Sequence, residues 1–302
     1  MVAISNAVAA ISDFLSNYIL LIALCGAGLY FTIRYRFVQV RKFGEGFRRM
    51  FGGMFAKRKD KNASGMSSFQ ALTTAIAAQV GTGNIAGAAT ALASGGPGAI
   101  FWMWVSAFFG MATIYGEAVL AQMYKTTDSD GQVTGGPIYY IRAAFKGRFG
   151  RVLAGFFSIA LILALGFMGN MVQSNSIGVA MHNAFGLPTW IVGVVVALAA
   201  GFIFLGGMKR IASVTEKIVP LMAVLYIGGC LVILCMNLSA VGQAFRQIFV
   251  AAFAPQAVAG GVLGVTVQKA MRYGVARGLF SNEAGMGSTP HAHAVALSLI
   301  HI

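Results

Sequence analysis

Long apolar runs constrain this chain more than any other feature. About 20 apolar residues cross the hydrocarbon core of a bilayer as a helix. Runs of that order occupy 12–33, 69–94, 99–123, 152–181, 189–207, 218–238 and 258–288. Only helices and closed barrels satisfy their own backbone in lipid, and runs this long predict helices. Charged residues make up 10% of the chain, against about 25% in soluble domains. The expected fold class is therefore an all-α polytopic membrane protein.

The formal net charge of +14 would suit a nucleic-acid binder, but its distribution argues otherwise. Ten of the 22 Lys and Arg residues fall within 34–61, after the first run. Lys125, Arg142, Lys146, Arg148 and Arg151 lie in the next loop on that side, and Lys209, Arg210 and Lys217 in the one after. The alternate loops at 95–97 and 182–188 carry no Lys or Arg, and 239–257 carries only Arg246. This is the positive-inside pattern. It places the basic loops in the cytoplasm of a cell-membrane protein, with the amino terminus outside. Attraction of anionic lipid is a compatible second reading of the basic segment. No Lys or Arg precedes Arg34, so the first run lacks a signal peptide's charged region and is expected to be retained. Cys25, Cys230 and Cys235 lie within apolar runs and make no metal or disulfide spacing.

In 34–67, Phe37, Val40, Phe43, Phe47 and Phe51 recur at helical steps among Arg and Lys, which predicts an interfacial amphipathic helix. Residues 57–65 read as a polar linker. Gly95-Gly96-Pro97 ends the second run, and Phe101, Trp102 and Trp104 suit an aromatic belt. A second Gly-Gly-Pro, 135–137, opens a helix-like 138–145. Residues 239–257 read as an outer amphipathic segment ending at Pro255.

The second run contains Gln79-Val80-Gly81-Thr82-Gly83-Asn84. Glycine costs a helix roughly 1 kcal/mol against alanine, and unwound backbone at membrane depth must line a cavity or be buried in protein. A break at 81–83 would offer backbone N–H groups to a carboxylate and carbonyls to a cation. Val80, Thr82 and Asn84 are the sodium-binding candidates, because a hard cation takes oxygens. Gln79, Gly81, Thr82 and Gly83 are the substrate-binding ones. The competing reading gives the glycines to close helix packing alone.

A second polar interruption, Ser281-Asn282-Glu283-Ala284-Gly285-Met286-Gly287-Ser288, follows five spans later. Paired interruptions point to an inverted-repeat transporter with its site at mid-membrane. Ser281 and Asn282 join the substrate set. Glu283 is a structural or coupling candidate, able to anchor the turn, bind a cation or meet an ammonium group. In the fourth run Asn170, Gln173 and Ser174 share a helical face with Ile177, and Phe167 lies one turn earlier. Asn170, Gln173 and Phe167 are added as substrate candidates, with interhelical hydrogen bonding as the alternative for the polar stripe. Glu117 is an intramembrane carboxylate with two readings, a structural acceptor or a proton-coupling site. Lys269, Arg272 and Arg277 conflict with the charge pattern. His291 and His293 lack the further ligands a metal needs, and no nucleophile–base pair supports an enzyme.

Four motifs carry a family resemblance: Gly81-Thr-Gly-Asn84-Ile-Ala-Gly87; Gly95-Gly-Pro-Gly98-Ala-Ile-Phe-Trp102; Gly135-Gly-Pro137-Ile-Tyr-Tyr140; and Gly278-Leu-Phe-Ser-Asn-Glu-Ala-Gly285-Met-Gly-Ser288. In this order they resemble the alanine or glycine:cation symporter family. The resemblance implies a leucine-transporter-type fold of five-plus-five inverted repeats behind one extra amino-terminal span. Residues 69–238 would form the first repeat and 258–294 the start of the second. It implies uptake of alanine or glycine driven by Na⁺, with no other cofactor. Gly81, Thr82 and Gly83 would meet the substrate carboxylate and Asn84 the sodium, while Glu117 would brace the broken helices. Family members have about eleven spans, so the chain is expected to be a fragment, with 295–302 an unnatural tail, and to transport nothing alone. The alternatives are a proton-coupled transporter of the same fold and a channel or structural subunit.

Overall fold

The computed structural model describes residues 6–8, 10, 11, 14–55, 66–129, 131–254 and 267–296. The polar linker at 57–65 and residues 258–266 of the last apolar run fall outside them. A π-helical stretch, Leu15–Ile19, leads into α1 (Leu20–Arg34), followed by α2 (Val38–Arg41) and α3 (Phe43–Phe55). The expected amphipathic helix is therefore two helices parted at Lys42. The second apolar run divides into α4 (Ser68–Gln79) and α5 (Thr82–Gly95). Next come α6 (Gly98–Met123), a hairpin of β1 (Thr126–Thr127) and β2 (Val133–Thr134), and α7 (Pro137–Ala144). Helix α8 (Arg148–Leu161) continues through a π-helical Ile162–Gly169 into α9 (Asn170–Phe185). The rest are α10 (Thr189–Phe204), α11 (Gly207–Met236), α12 (Leu238–Phe253), α13 (Val267–Asn282) and α14 (Pro290–Val295).

Among the described residues, Gly98–Met123, Arg148–Phe185 and Gly207–Met236 are long and apolar enough to cross a membrane, while Leu20–Arg34, Thr189–Phe204 and Leu238–Phe253 are shorter apolar helices. One sequence expectation changes. The loop assigned to Lys209, Arg210 and Lys217 is the first part of α11, whose 30 residues span about 45 Å at 1.5 Å per residue, against about 30 Å of hydrocarbon. Its charged turns can thus leave the apolar layer without ending the helix. The all-α expectation holds; a short hairpin pairs Thr126 with Thr134 and Thr127 with Val133.

The chain divides into two compact units. The first comprises Met1–Gly44, Asn84–Gly116 and Tyr226–Met286. Small residues dominate its interior: Ala91, Ala99, Ala252 and Ala270 are fully buried, as expected where helix backbones approach closely without a hydrophobic drive between them. A Cβ on Gly274 would lie 2.7 Å from Trp102 Cβ, and one on Gly98 would lie 2.6 Å from the Ala252 backbone nitrogen. Trp102 Nε1 donates to Ala252 O at 3.2 Å. Phe101 packs against Phe249 and Phe253, and Trp104 against Phe245 and Phe249. The expected aromatic belt is therefore an α6–α12 contact. The segment expected to be outer and amphipathic supplies that helix.

The second unit comprises Glu45–Gly83, Glu117–Leu225 and Gly287–Ile302. Ser67 caps α4 in a reciprocal box with Gln70, satisfying two otherwise unpaired backbone donors. Gln70 also donates to Glu216 at 2.8 Å, and Thr74 shares a hydroxyl bond with Thr215 at 3.1 Å. Met66 N–H donates to Val295 O at 3.0 Å. Gln122 donates to the His293 carbonyl, and Lys125 Nζ donates to Gln122 Oε1 at 2.8 Å.

Candidate functional site

The two interruptions are best built unit by unit, since the boundary between the compact units runs between Gly83 and Asn84. In the second unit, α4 ends when Val80 turns to extended backbone (φ −95°, ψ 103°) while its N–H still reaches Ile76 O. Helix resumes at Thr82, so only Val80 and Gly81 stand outside it. The break is shorter than the glycine spacing predicts, and Gly83 is already helical. Thr82 opens α5 with its N–H and hydroxyl both pointing at Gln173 Oε1, at 3.0 and 2.7 Å. A Cβ on Gly81 would stand 2.9 Å from Gln173 Cδ. Glycine at 81 is what lets the amide approach.

Gln173 thus joins the break. Its expected companions do not. Asn170 Nδ2 donates to its own helix at Gly166 O (3.0 Å), and Phe167 is 60% exposed. Ser174 is exposed, and Gln79 is half-buried at the end of α4. The π-helical stretch before Asn170 shifts Phe167, but not the stripe itself, out of the register that a regular 3.6-residue repeat assumes.

In the first unit, Asn84 Nδ2 donates to Ser281 twice, to the carbonyl at 2.9 Å and the hydroxyl at 2.8 Å. This pairing spans 197 residues and ties the first turn of α5 to the end of α13. Helix α13 ends at Asn282, whose Oδ1 accepts from Ala284 N–H at 3.0 Å. Glu283 then takes φ 54° and Gly285 φ 83°. A non-glycine residue in that region is uncommon and marks a constrained turn. Asn282 Nδ2 is buried without a hydrogen-bond partner. It lies where a Cβ on Gly110 would be 2.9 Å away. Buried unpaired donors are rare and call for an explanation.

In the second unit, burial and the Glu117 carboxylate, in that order, push the Tyr140 hydroxyl far above its usual pKa. Tyr140 belongs to the second Gly-Gly-Pro motif, and its electrostatic interaction with Glu117 is one that sequence reading missed. Lys125 is held below the usual lysine range by burial, as is His293 relative to a free imidazole. His291 Nδ1 lies 3.2 Å from Ser288 O, with its ring against Gly136. Among the described residues no three His, Cys, Asp or Glu side chains gather as a metal site. Arg272, half-buried in α13, lies over the Tyr273 ring at 5.7 Å. Sequence reasoning also missed Glu216, just outside its assigned span, as the acceptor for Gln70.

Among the described residues, apolar helices of membrane length mark an integral membrane protein. The description of the sodium:alanine symporter family matches residues 1–299. The chain belongs to that family, which is one of transporters and not of enzymes. It is 46% identical over 295 residues to an uncharacterized transporter of Haemophilus influenzae, covering 97% of this chain and 63% of that one. It is 44% identical to the sodium/alanine symporter AgcS of Methanococcus maripaludis, covering 95% of this chain and 62% of that one. It is 43% identical to the amino-acid carrier protein AlsT of Bacillus subtilis, covering 94% of this chain and 58% of that one. The chain thus spans about three-fifths of the length of these relatives.

Proposed function

We propose that the protein is a secondary symporter in which inward Na⁺ movement drives uptake of a small neutral amino acid, alanine or glycine. The observation that carries this reading is the convergence of Thr82 N–H and Thr82 Oγ on one carbonyl-type oxygen, Gln173 Oε1. Two donors at the first turn of a helix suit a carboxylate oxygen, which gains charge-assisted hydrogen bonds and the favourable end of the helix dipole. Gly81 and Gly83 leave the backbone approachable beside them. Asn84, whose amide nitrogen is committed to Ser281, directs its oxygen to the cation role, with the Val80 carbonyl and Thr82 Oγ as further oxygen ligands. Asn282, with a buried unpaired amide donor, serves the substrate from the second interruption, and Glu283 holds its turn. Glu117 acts as a brace beside Tyr140. The names of AgcS and AlsT agree with the substrate class. Basic segments facing the cytoplasm, an outside amino terminus and an inverted-repeat architecture complete the reading.

The test is uptake of labelled alanine and glycine into proteoliposomes made with protein expressed from the complete reading frame. Uptake should follow an imposed Na⁺ gradient, saturate, and lose Na⁺ dependence in Asn84→Ala. Uptake driven by a proton gradient alone would reject Na⁺ coupling and move the coupling role to Glu117 or Glu283. Non-saturating flux would reject the carrier reading in favour of a channel.

A further inference from the structure

The end of α1 carries a basic cavity away from the residues of either interruption. Helix α1 presents Leu29, Tyr30 and Ile33 to its surroundings and closes at Arg34. Tyr35 N–H caps Phe31 O at 2.8 Å, and Phe37 N–H caps Thr32 O at 2.8 Å. Arg36 and Phe37 then both adopt φ 53°. Consecutive non-glycine residues in that region persist only where surrounding structure holds them. Here Val38, only 4% exposed, anchors the turn, and Gln39 Nε2 donates to Thr32 Oγ1 at 2.9 Å. The reversal gathers Arg34, Arg36 and Arg41 around a cavity of about 300 Å³ that Tyr35, Val38 and Tyr115 complete. Arg41 Nη2 donates to Tyr35 O at 3.1 Å, and Tyr35 meets Tyr115 edge-on at 5.5 Å.

No acidic residue lines this cavity. Among the described residues, none of the three arginines pairs with a carboxylate. Guanidinium forks match phosphate oxygens bidentately, and phenolic hydroxyls add neutral donors. Phe37 and Val40 beside the cavity are 53% and 64% exposed. Cations around a pocket, with apolar side chains continuing onto a membrane helix, are the complement of an anionic phosphodiester attached to acyl chains. We propose that this pocket binds the headgroup of an anionic membrane phospholipid.

The experiment is native mass spectrometry of the protein from its complete reading frame, delipidated in detergent and titrated with phosphatidylglycerol or phosphatidylcholine of identical chains. Wild type should retain phosphatidylglycerol in preference to phosphatidylcholine. Near an anionic surface each arginine is worth roughly a fivefold change, so Arg34→Gln, Arg36→Gln and Arg41→Gln combined should weaken retention about 100-fold. Replacing Arg142, Arg148 and Arg151 with Gln should leave it within about twofold, because a like charge loss elsewhere does not touch the pocket. Retention unchanged in the pocket variant, or lost equally in the control, would overturn the site. Displacement by millimolar inorganic phosphate as effective as by lipid would overturn the lipid assignment. If the triple variant is not monodisperse, the single Arg→Gln variants decide, each expected to weaken retention roughly fivefold.

Discussion

The bond pair between Asn84 and Ser281 gives the sharpest quantitative prediction. Asn84→Ala removes both donations, to the Ser281 carbonyl at 2.9 Å and to its hydroxyl at 2.8 Å. A typical intramolecular hydrogen bond contributes about 1 kcal/mol net, so the substitution should cost about 2 kcal/mol. Ser281→Ala removes only the hydroxyl acceptor and should cost about 1 kcal/mol. The double variant should cost about 2 kcal/mol, not the additive sum of about 3, leaving a coupling energy of about 1 kcal/mol. Asn84→Asp should be worse than Asn84→Ala, because it sets a carboxylate oxygen against a carbonyl oxygen with no proton between them. The assay is reversible SDS unfolding in mixed micelles, followed by tryptophan fluorescence, on all four members of the cycle. Additive losses, or an Asp variant as stable as wild type, would refute the claim that this amide ties the first turn of α5 to the end of α13.

Two further outcomes are expected. Gly274→Ala should destabilise by about 1–3 kcal/mol or abolish folded protein, because its Cβ would meet the Ala99 backbone and Trp102 Cβ. Gly201→Ala, with nothing within 4 Å, should be neutral or stabilise by up to about 1 kcal/mol; thermal unfolding of both in detergent checks the contrast. His293 is held below its free value of 6.5 by burial, so the unfolded chain binds the proton more readily than the folded one. Its contribution is complete above the unfolded pKa and is lost as pH falls below 6.5 through the folded value, with a slope of at most about 1.4 kcal/mol per pH unit. His293→Gln should flatten stability measured between pH 7 and 5 relative to wild type.

Much of the fold was legible because membrane helices announce themselves by length and hydropathy alone. Runs at 99–123 and 189–207 match α6 and α10 within a few residues, and the glycines at 81 and 83 located a true interruption. Local pattern failed where long-range contacts or backbone irregularity decide. The π-helical Ile162–Gly169 cannot be read from an apolar run, and it moves Phe167 out of the expected register. The charged start of α11 reads as a loop by hydropathy, although helical hydrogen bonding is indifferent to charge. Ser281 was visible as polar, but its tie to Asn84 is a tertiary fact. Tyr140 beside Glu117 and Glu216 beside Gln70 belong to the same kind.

In the proposed site, the Gln173 amide at Thr82 has a consequence for affinity. Its oxygen occupies the donors that an arriving carboxylate would take, so the chain carries its own built-in competitor. A newcomer has to displace an internal group whose effective concentration never falls. Two neutral bonds of about 1 kcal/mol each discount every ligand by roughly thirtyfold. A carboxylate recovers that discount, because bonds to an ionised acceptor are about twice as strong. A primary amide or an alcohol of the same size does not. Alanine and alaninamide are discounted alike, so Gln173→Ala should strengthen both by up to about thirtyfold and leave the ratio between them unchanged.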